Sequence, residues 1–163
     1  MVDQNDKVWV AALNKHKIVK FDPATEKFTE YPTPTQPSGP RRIGVDSKGT
    51  VWFSEYGANQ LGALDPKSGK IIEYSFPLKL THPYETWPDA DDNIWSSDEA
   101  YKAFVKFDPR TKKFTYYPFP QDYAGIAKIE VDKEGAIWFG SRGIVKAGVF
   151  KPHGNSNGAM SKK

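Results

Sequence analysis

The sequence predicts an all-β fold, a β-propeller of four-stranded antiparallel blades, and three observations support this prediction. First, tryptophan recurs every 43 residues, at Trp9, Trp52, Trp95 and Trp138. Second, Asp-Pro pairs keep the same spacing, at Asp22, Asp65 and Asp108. Third, the runs between the turns are rich in Val, Ile, Thr, Phe, Tyr and Trp, which favour strands and argue against helical repeats. A strand-forming repeat of this length is typical of propeller blades.

One unit, residues 41–83, shows the order of the strands. Residues 41–46 and 50–54 form a predicted hairpin around a turn that contains Gly49. Residues 60–64 and 71–74 supply the third and fourth strands, and Asp65-Pro66 begin the turn between them. Proline presets the backbone of such a turn, and the aspartate accepts a hydrogen bond from a turn amide. Each unit is therefore predicted to be one blade.

The length of 163 residues corresponds to about 3.8 units. We expect a partial propeller over residues 1–152, with units that begin near residues 1, 41, 84 and 127. Residues 153–163, rich in Gly, Asn, Ser and Lys, are predicted to be a disordered tail. Three completions of the ring are open: further blades of a longer chain, a second chain that gives seven or eight blades, or closure on four. We favour the first two, because closure on four blades needs much steeper wedges.

Composition limits the classes of function. The net charge of +3, from 23 basic and 20 acidic residues, is too small to indicate nucleic-acid binding. The absence of cysteine excludes a disulfide framework, thiol catalysis and cysteine-ligated zinc. No apolar run is long enough to span a bilayer. No signal peptide is found in the chain, so a cytoplasmic location stays open beside an exported one.

The second unit carries a distinctive motif. Residues 45–55 read VDSKGTVWFSE, residues 58–66 read ANQLGALDP, and residues 72–74 read IEY. This motif resembles the repeat of the streptogramin B lyase (virginiamycin B lyase) family, and the resemblance extends to about Pro152. Family members are seven-bladed propellers, and the lyase uses magnesium to open a cyclic depsipeptide without water. The resemblance thus implies a propeller and makes magnesium-dependent lyase chemistry a candidate.

The resemblance also implies where catalytic residues would lie. In the family, a histidine that follows a proline precedes the glutamate of the motif by fourteen residues in the blades that carry the chemistry. Glu55 matches that glutamate, but Arg41 stands fourteen residues before it. The corresponding pairs in the third and fourth units are Tyr84 with Asp98 and Ala127 with Ser141. No unit therefore holds both the histidine and the acid.

His82 is the histidine nearest to an expected catalytic position, two residues before Tyr84. The favoured interpretation is a loop histidine that packs beside Pro83. The alternative, which the resemblance implies, makes His82 and Glu55 the catalytic pair, with Glu55 and Asp98 as magnesium ligands.

Polar and aromatic side chains in the predicted channel loops are the candidate ligand-binding residues. They are Arg41, Arg42, Tyr84, Glu85, Trp87, Glu99, Tyr101 and Arg142, with Tyr56 and Tyr123 on the same face. Arginines and carboxylates around a channel mouth fit a polar or anionic ligand, with or without a divalent cation. A solvated rim whose charges pair with one another is the alternative. Trp87 is singled out because it lies outside the tryptophan series, whose four members are interpreted as packing between blades.

The sequence therefore favours a non-catalytic module of this family, which binds a small polar ligand or a protein within a larger or oligomeric propeller. The alternatives are a magnesium-dependent streptogramin B lyase-type carbon-oxygen lyase and a scaffold that binds only proteins. No cofactor is indicated by the residues alone, and the resemblance makes magnesium the cofactor to test. It also favours a periplasmic or secreted location.

Overall fold

The computed structural model describes residues 1–119, 125–141 and 146–152. Those residues form four antiparallel sheets, one for each sequence unit, and we call them blades 1 to 4. Blade 1 contains β1 (Val8–Ala12), β2 (Lys17–Asp22) and β3 (Lys27–Pro32), with a 3₁₀ turn at Leu13–Lys15. Blade 2 contains β4 (Pro40–Val45), β5 (Val51–Glu55), β6 (Gln60–Leu64) and β7 (Ile71–Ser75). Blade 3 contains β8 (Trp87–Pro88), β9 (Ile94–Asp98), β10 (Ala103–Asp108) and β11 (Lys113–Pro118), and blade 4 contains β12 (Ile126–Val131), β13 (Ile137–Ser141) and β14 (Lys146–Phe150).

Within each blade, every strand pairs with the next strand in the chain. The innermost strands of blades 2, 3 and 4 lie side by side, since β4 contacts β8 and β8 contacts β12. In blade 1, β1 carries Trp9 and therefore corresponds to β5, the second strand of blade 2, and it contacts β4. The described sheets do not close into a ring. The predicted all-β fold, a partial propeller of antiparallel blades, is confirmed. The predicted tail at residues 153–163 lies outside the described residues.

The hydrophobic core lies between the blades. Three clusters of buried side chains fill the three seams between successive blades, and each cluster contains one tryptophan of the series. Trp9, Trp52 and Trp95 are 1%, 4% and 2% exposed, whereas Trp138, on the outer face of blade 4, is 55% exposed. The tryptophan repeat therefore marks the surface on which one blade packs against the next.

The alternation of side chains along β5 determines which seam each residue enters. Val51 and Phe53 pack with Trp9 of blade 1, and Trp52 packs with Ile94 of blade 3. Neighbouring side chains on a strand point to opposite faces, so Glu55 faces blade 1. Ser54, on the other face, donates a 2.8 Å hydrogen bond to a blade 3 carbonyl.

The innermost strands are irregular at one equivalent position. The pairing of β4 with β5 shifts register between Pro40 and Ile43, and the pairing of β12 with β13 shifts at the corresponding place, between Ile126 and Lys128. In blade 3 an isolated bridge at Pro83 precedes the short β8, and the residues between them are outside the ladder. Such bulges redirect side chains. The register shift in β4 allows two consecutive residues, Arg41 and Arg42, to line the channel.

No helix in the described part of the chain is long and apolar enough to cross a membrane.

Candidate functional site

A cavity of about 410 Å³ lies where the innermost strands of blades 2, 3 and 4 approach β1 of blade 1. Arg41, Arg42 and Ile43 of β4, Trp87 of β8 and Lys128 of β12 are among its lining residues. This volume falls within the range of small-molecule pockets. We call it the channel cavity.

Three charged side chains of the channel cavity occupy one repeat position in three successive blades. Arg42, Glu85 and Lys128 are each 43 residues apart. The Glu85 side chain is only 6% exposed, and its Oε2 lies 3.9 Å from Nε of Arg42, which is an ion pair without a hydrogen bond. Burial raises the pKa of Glu85 to about 7, although Arg42, Lys128 and the Thr86 amide favour its charged form.

The guanidinium of Arg41 contacts the rings of two tyrosines. Its guanidinium carbon is 4.0 Å from the ring centre of Tyr84 and 4.8 Å from that of Tyr56. Tyr84 is the residue of blade 3 that corresponds to Arg41. No carboxylate among the described residues lies within ion-pair distance of Arg41, whereas Arg42 and Lys128 each have one. Arg41 is thus a cation held by cation–π contacts.

The ring of His82 stacks on Tyr56 at 4.9 Å between ring centres. The Tyr56 hydroxyl donates a 3.3 Å hydrogen bond to Oε2 of Glu99, and the Glu99 amide donates to the His82 carbonyl. The structure therefore brings Arg41, Tyr56, His82, Tyr84 and Glu99 together between blades 2 and 3.

Glu55 lies on the opposite face of blade 2, fully buried, and neither of its carboxylate oxygens has a hydrogen-bond partner. Its neighbour is Glu73, whose carboxylate accepts hydrogen bonds from the Thr35 amide and hydroxyl at 2.9 and 2.7 Å. Burial, together with the Glu73 charge, raises the pKa of Glu55 to about 8. A pKa of about 8 favours the protonated form of Glu55 at neutral pH.

Asp98 occupies in blade 3 the position of Glu55 in blade 2. Its Oδ1 accepts hydrogen bonds from the amides of His82, Ala100 and Tyr101, while its buried Oδ2 has no partner. Burial raises the pKa of Asp98, and the three amides partly offset this effect. Asp98 therefore anchors the His82 loop.

The sequence model of the virginiamycin B lyase family matches residues 1–158. The chain belongs to the virginiamycin B lyase family. Among curated proteins no match is found.

Solved structures of family members have the same fold. The chain superposes on a catalytically inactive virginiamycin B lyase from Staphylococcus aureus with quinupristin with a TM-score of 0.81 at 22% identity, covering 93% of this chain and 54% of that one. It superposes on a streptogramin B lyase with a TM-score of 0.79 at 25% identity, covering 92% and 52%. The extracellular domain of a one component system from B. thetaiotaomicron matches with a TM-score of 0.73 at 14% identity, covering 94% and 21%. The chain spans about half the length of the lyase chains.

The magnesium ligands that the family resemblance suggests do not converge. Glu55 faces the seam between blades 1 and 2, and Asp98 faces the seam between blades 2 and 3, with the sheet of blade 2 between them. Packed sheets lie about 10 Å apart, too far for one ion to bind both carboxylates. The described residues contain no group of three or more His, Asp or Glu side chains arranged to hold a metal. These two residues therefore do not fit a shared magnesium site.

The remaining predicted site residues lie in several places. Trp87 and Glu85 line the channel cavity, whereas the exposed Tyr101 hydroxyl donates to the Lys79 carbonyl away from it. Arg142 and Tyr123 fall outside the described residues. Lys128 was not predicted as a site residue, although its spacing from Glu85 equals the repeat, and Glu73 was not predicted as the neighbour of Glu55.

Proposed function

We propose that the chain is a non-catalytic member of the virginiamycin B lyase family that binds a small polar ligand in the channel cavity. The cavity supports this proposal because it combines fixed cations, a buried carboxyl group and the indole of Trp87. Apolar walls with a few fixed polar groups are typical of ligand sites.

The observation that carries the proposal is the separation of Glu55 from His82. Glu55 enters the seam toward blade 1, and His82 stacks on Tyr56 in the seam toward blade 3. A general base and a second catalytic group have to reach the same substrate. Because burial raises the pKa of Glu55 to about 8, a metal ion would have to displace a proton to bind its carboxylate.

The lyase alternative rests on one observation, the exposed His82 next to Asp98 and Glu99. Incubation with quinupristin and magnesium separates the two functions. Ring opening without water leaves the mass unchanged, so chromatography must accompany mass spectrometry. We expect no conversion. A new peak of unchanged mass that requires magnesium and disappears in His82→Ala would establish the lyase and refute a non-catalytic role.

We also propose that this module works within a larger or oligomeric propeller, in the periplasm or outside the cell. The exposed Trp138 and Val149 of blade 4 and Phe28 of blade 1 support the first part, because apolar side chains of the internal seams are buried. Light scattering of the isolated chain should show self-association. A stable monomer with cooperative unfolding would contradict it. The extracellular origin of one structural relative supports the location, and fractionation of the native host would test it.

A further inference from the structure

We propose that the channel cavity takes an organic anion, with carboxylate or phosphate oxygens bound by the Arg41 guanidinium. This inference rests on the proposed function, because it names the class of ligand for the same cavity.

Two tyrosine rings hold the Arg41 side chain in place. The rings of Tyr84 and Tyr56 contact its guanidinium at 4.0 and 4.8 Å. The two rings stand at 88° to each other, so the planar guanidinium can stack on only one of them. A stacked guanidinium keeps the N–H groups at its edge available for hydrogen bonds. These donors form a planar fork that matches two oxygens of a carboxylate or phosphate. The tyrosines thus fix the orientation of the fork before a ligand arrives.

The charges around the cavity also favour an anion beside Arg41. The Glu85 carboxyl lies within ion-pair distance of Arg42, and Glu130 pairs with Lys128. Arg41 is the cationic side chain of this cavity that has no acidic partner among the described residues, and it is partly buried. A half-buried charge without a counter-ion gains more from an anion than a solvated one does.

The apolar part of the cavity lining indicates what the rest of the ligand is like. Val10, Ile43 and the indole of Trp87 supply apolar surface beside the arginines. A ligand with one anionic group on a small apolar or aromatic body would contact both parts of the lining. Benzoate has this form, and benzamide has the same shape without the charge.

The test is calorimetric titration of the whole chain with benzoate, phenyl phosphate, benzamide and benzylamine. We expect both anions to bind at least about tenfold more tightly than benzamide, the value of one charge-assisted pair. Arg41→Gln should weaken benzoate binding about tenfold. Arg110→Gln, which removes the same charge from the opposite turn face where Arg110 pairs with Asp108, should leave it unchanged.

Several outcomes would overturn the inference. Benzamide or benzylamine binding as tightly as benzoate would leave the cavity a ligand site but not an anion site, so the proposed function would stand. If Arg41→Gln and Arg110→Gln weakened benzoate binding equally, the loss would come from the lower net charge of the protein and not from a contact with Arg41. Absence of binding by both anions at millimolar concentration would also refute it. If Arg41→Gln fails to fold, the comparison of benzoate with benzamide on the unchanged chain decides alone. Magnesium-dependent ring opening, by contrast, would refute the proposed function itself.

Discussion

The indole Nε1 of Trp52 donates a 2.9 Å hydrogen bond to Oδ2 of Asp46, six residues earlier in the chain. Oδ1 of the same aspartate accepts hydrogen bonds from the amides of Lys48 and Thr50 in the intervening turn. The link between indole and aspartate recurs in the other three blades, at Asp3, Asp89 and Asp132. One carboxylate thus fixes both the hairpin turn and the tryptophan that packs against the next blade.

Asp46→Ala should destabilise the fold by about 2 to 4 kcal/mol, because three donors around the buried Asp46 carboxylate lose their acceptor. Chemical denaturation monitored by circular dichroism measures this loss. Asp132→Ala is the matched control, since Trp138 is 55% exposed and water can replace the carboxylate there. Its cost should be roughly 1 kcal/mol or less. Equal losses for the two variants would show that burial of the link is unimportant.

Gly44→Ala should block the approach of blade 2 to blade 3. A Cβ at this position would lie 2.5 Å from Cδ of Pro88 and 2.9 Å from the Thr86 carbonyl oxygen. We expect a loss of about 1 to 3 kcal/mol or failure to fold, because neither contact can move freely. Gly140→Ala, which meets nothing within 4 Å, is the control and should have little effect on the midpoint of denaturation. A neutral Gly44→Ala would contradict the described contact of these strands.

Glu55 should make the protein less stable as the pH rises. Its pKa is raised from 4.5 to about 8 on folding, so between these values the folded state keeps a proton that the unfolded state has lost. The free energy of unfolding should fall by roughly 1.4 kcal/mol per pH unit in this window, about 5 kcal/mol in all. Stability curves from pH 4 to 9 should be flatter for Glu55→Gln than for the unchanged chain by this amount. Glu130→Gln, at an exposed position, should not flatten these curves. Parallel curves for all three proteins would show that Glu55 does not cause the pH dependence of stability.

Benzoate affinity should rise as the pH falls through about 7, the pKa of Glu85. Protonation removes a negative charge from the cavity that holds Arg41, while benzoate stays ionised, so the anion is repelled less. We expect a change of a few-fold between pH 8 and pH 6, measured by calorimetry. Glu85→Gln should bind benzoate with an affinity independent of pH over this range. A persistent pH dependence in that variant would assign the effect to another group.

Most of the fold could be predicted from the repeat. Trp9, Trp52 and Trp95 are 43 residues apart, and each lies in one of the three seams between successive blades. The site was harder to predict. The register shift after Pro40 is a property of the paired strands and not of the residue pattern, and it places both Arg41 and Arg42 at the channel cavity. Period-two alternation along β5 could have assigned Glu55 to the seam toward blade 1. The stacking of His82 on Tyr56 depends on loop conformation, which carries no such period.

The central claim is that the channel cavity holds the ligand, and nuclear magnetic resonance of the tryptophan indole N–H groups tests it most directly. The chain has five such groups, and Trp87→Phe assigns the signal of Trp87, which lines the cavity together with Trp9. Titration with benzoate is predicted to shift the Trp87 signal to saturation and leave that of Trp138, on the outer face of blade 4, unchanged. A Trp87 signal that does not move, or a Trp138 signal that moves equally, would contradict the claim.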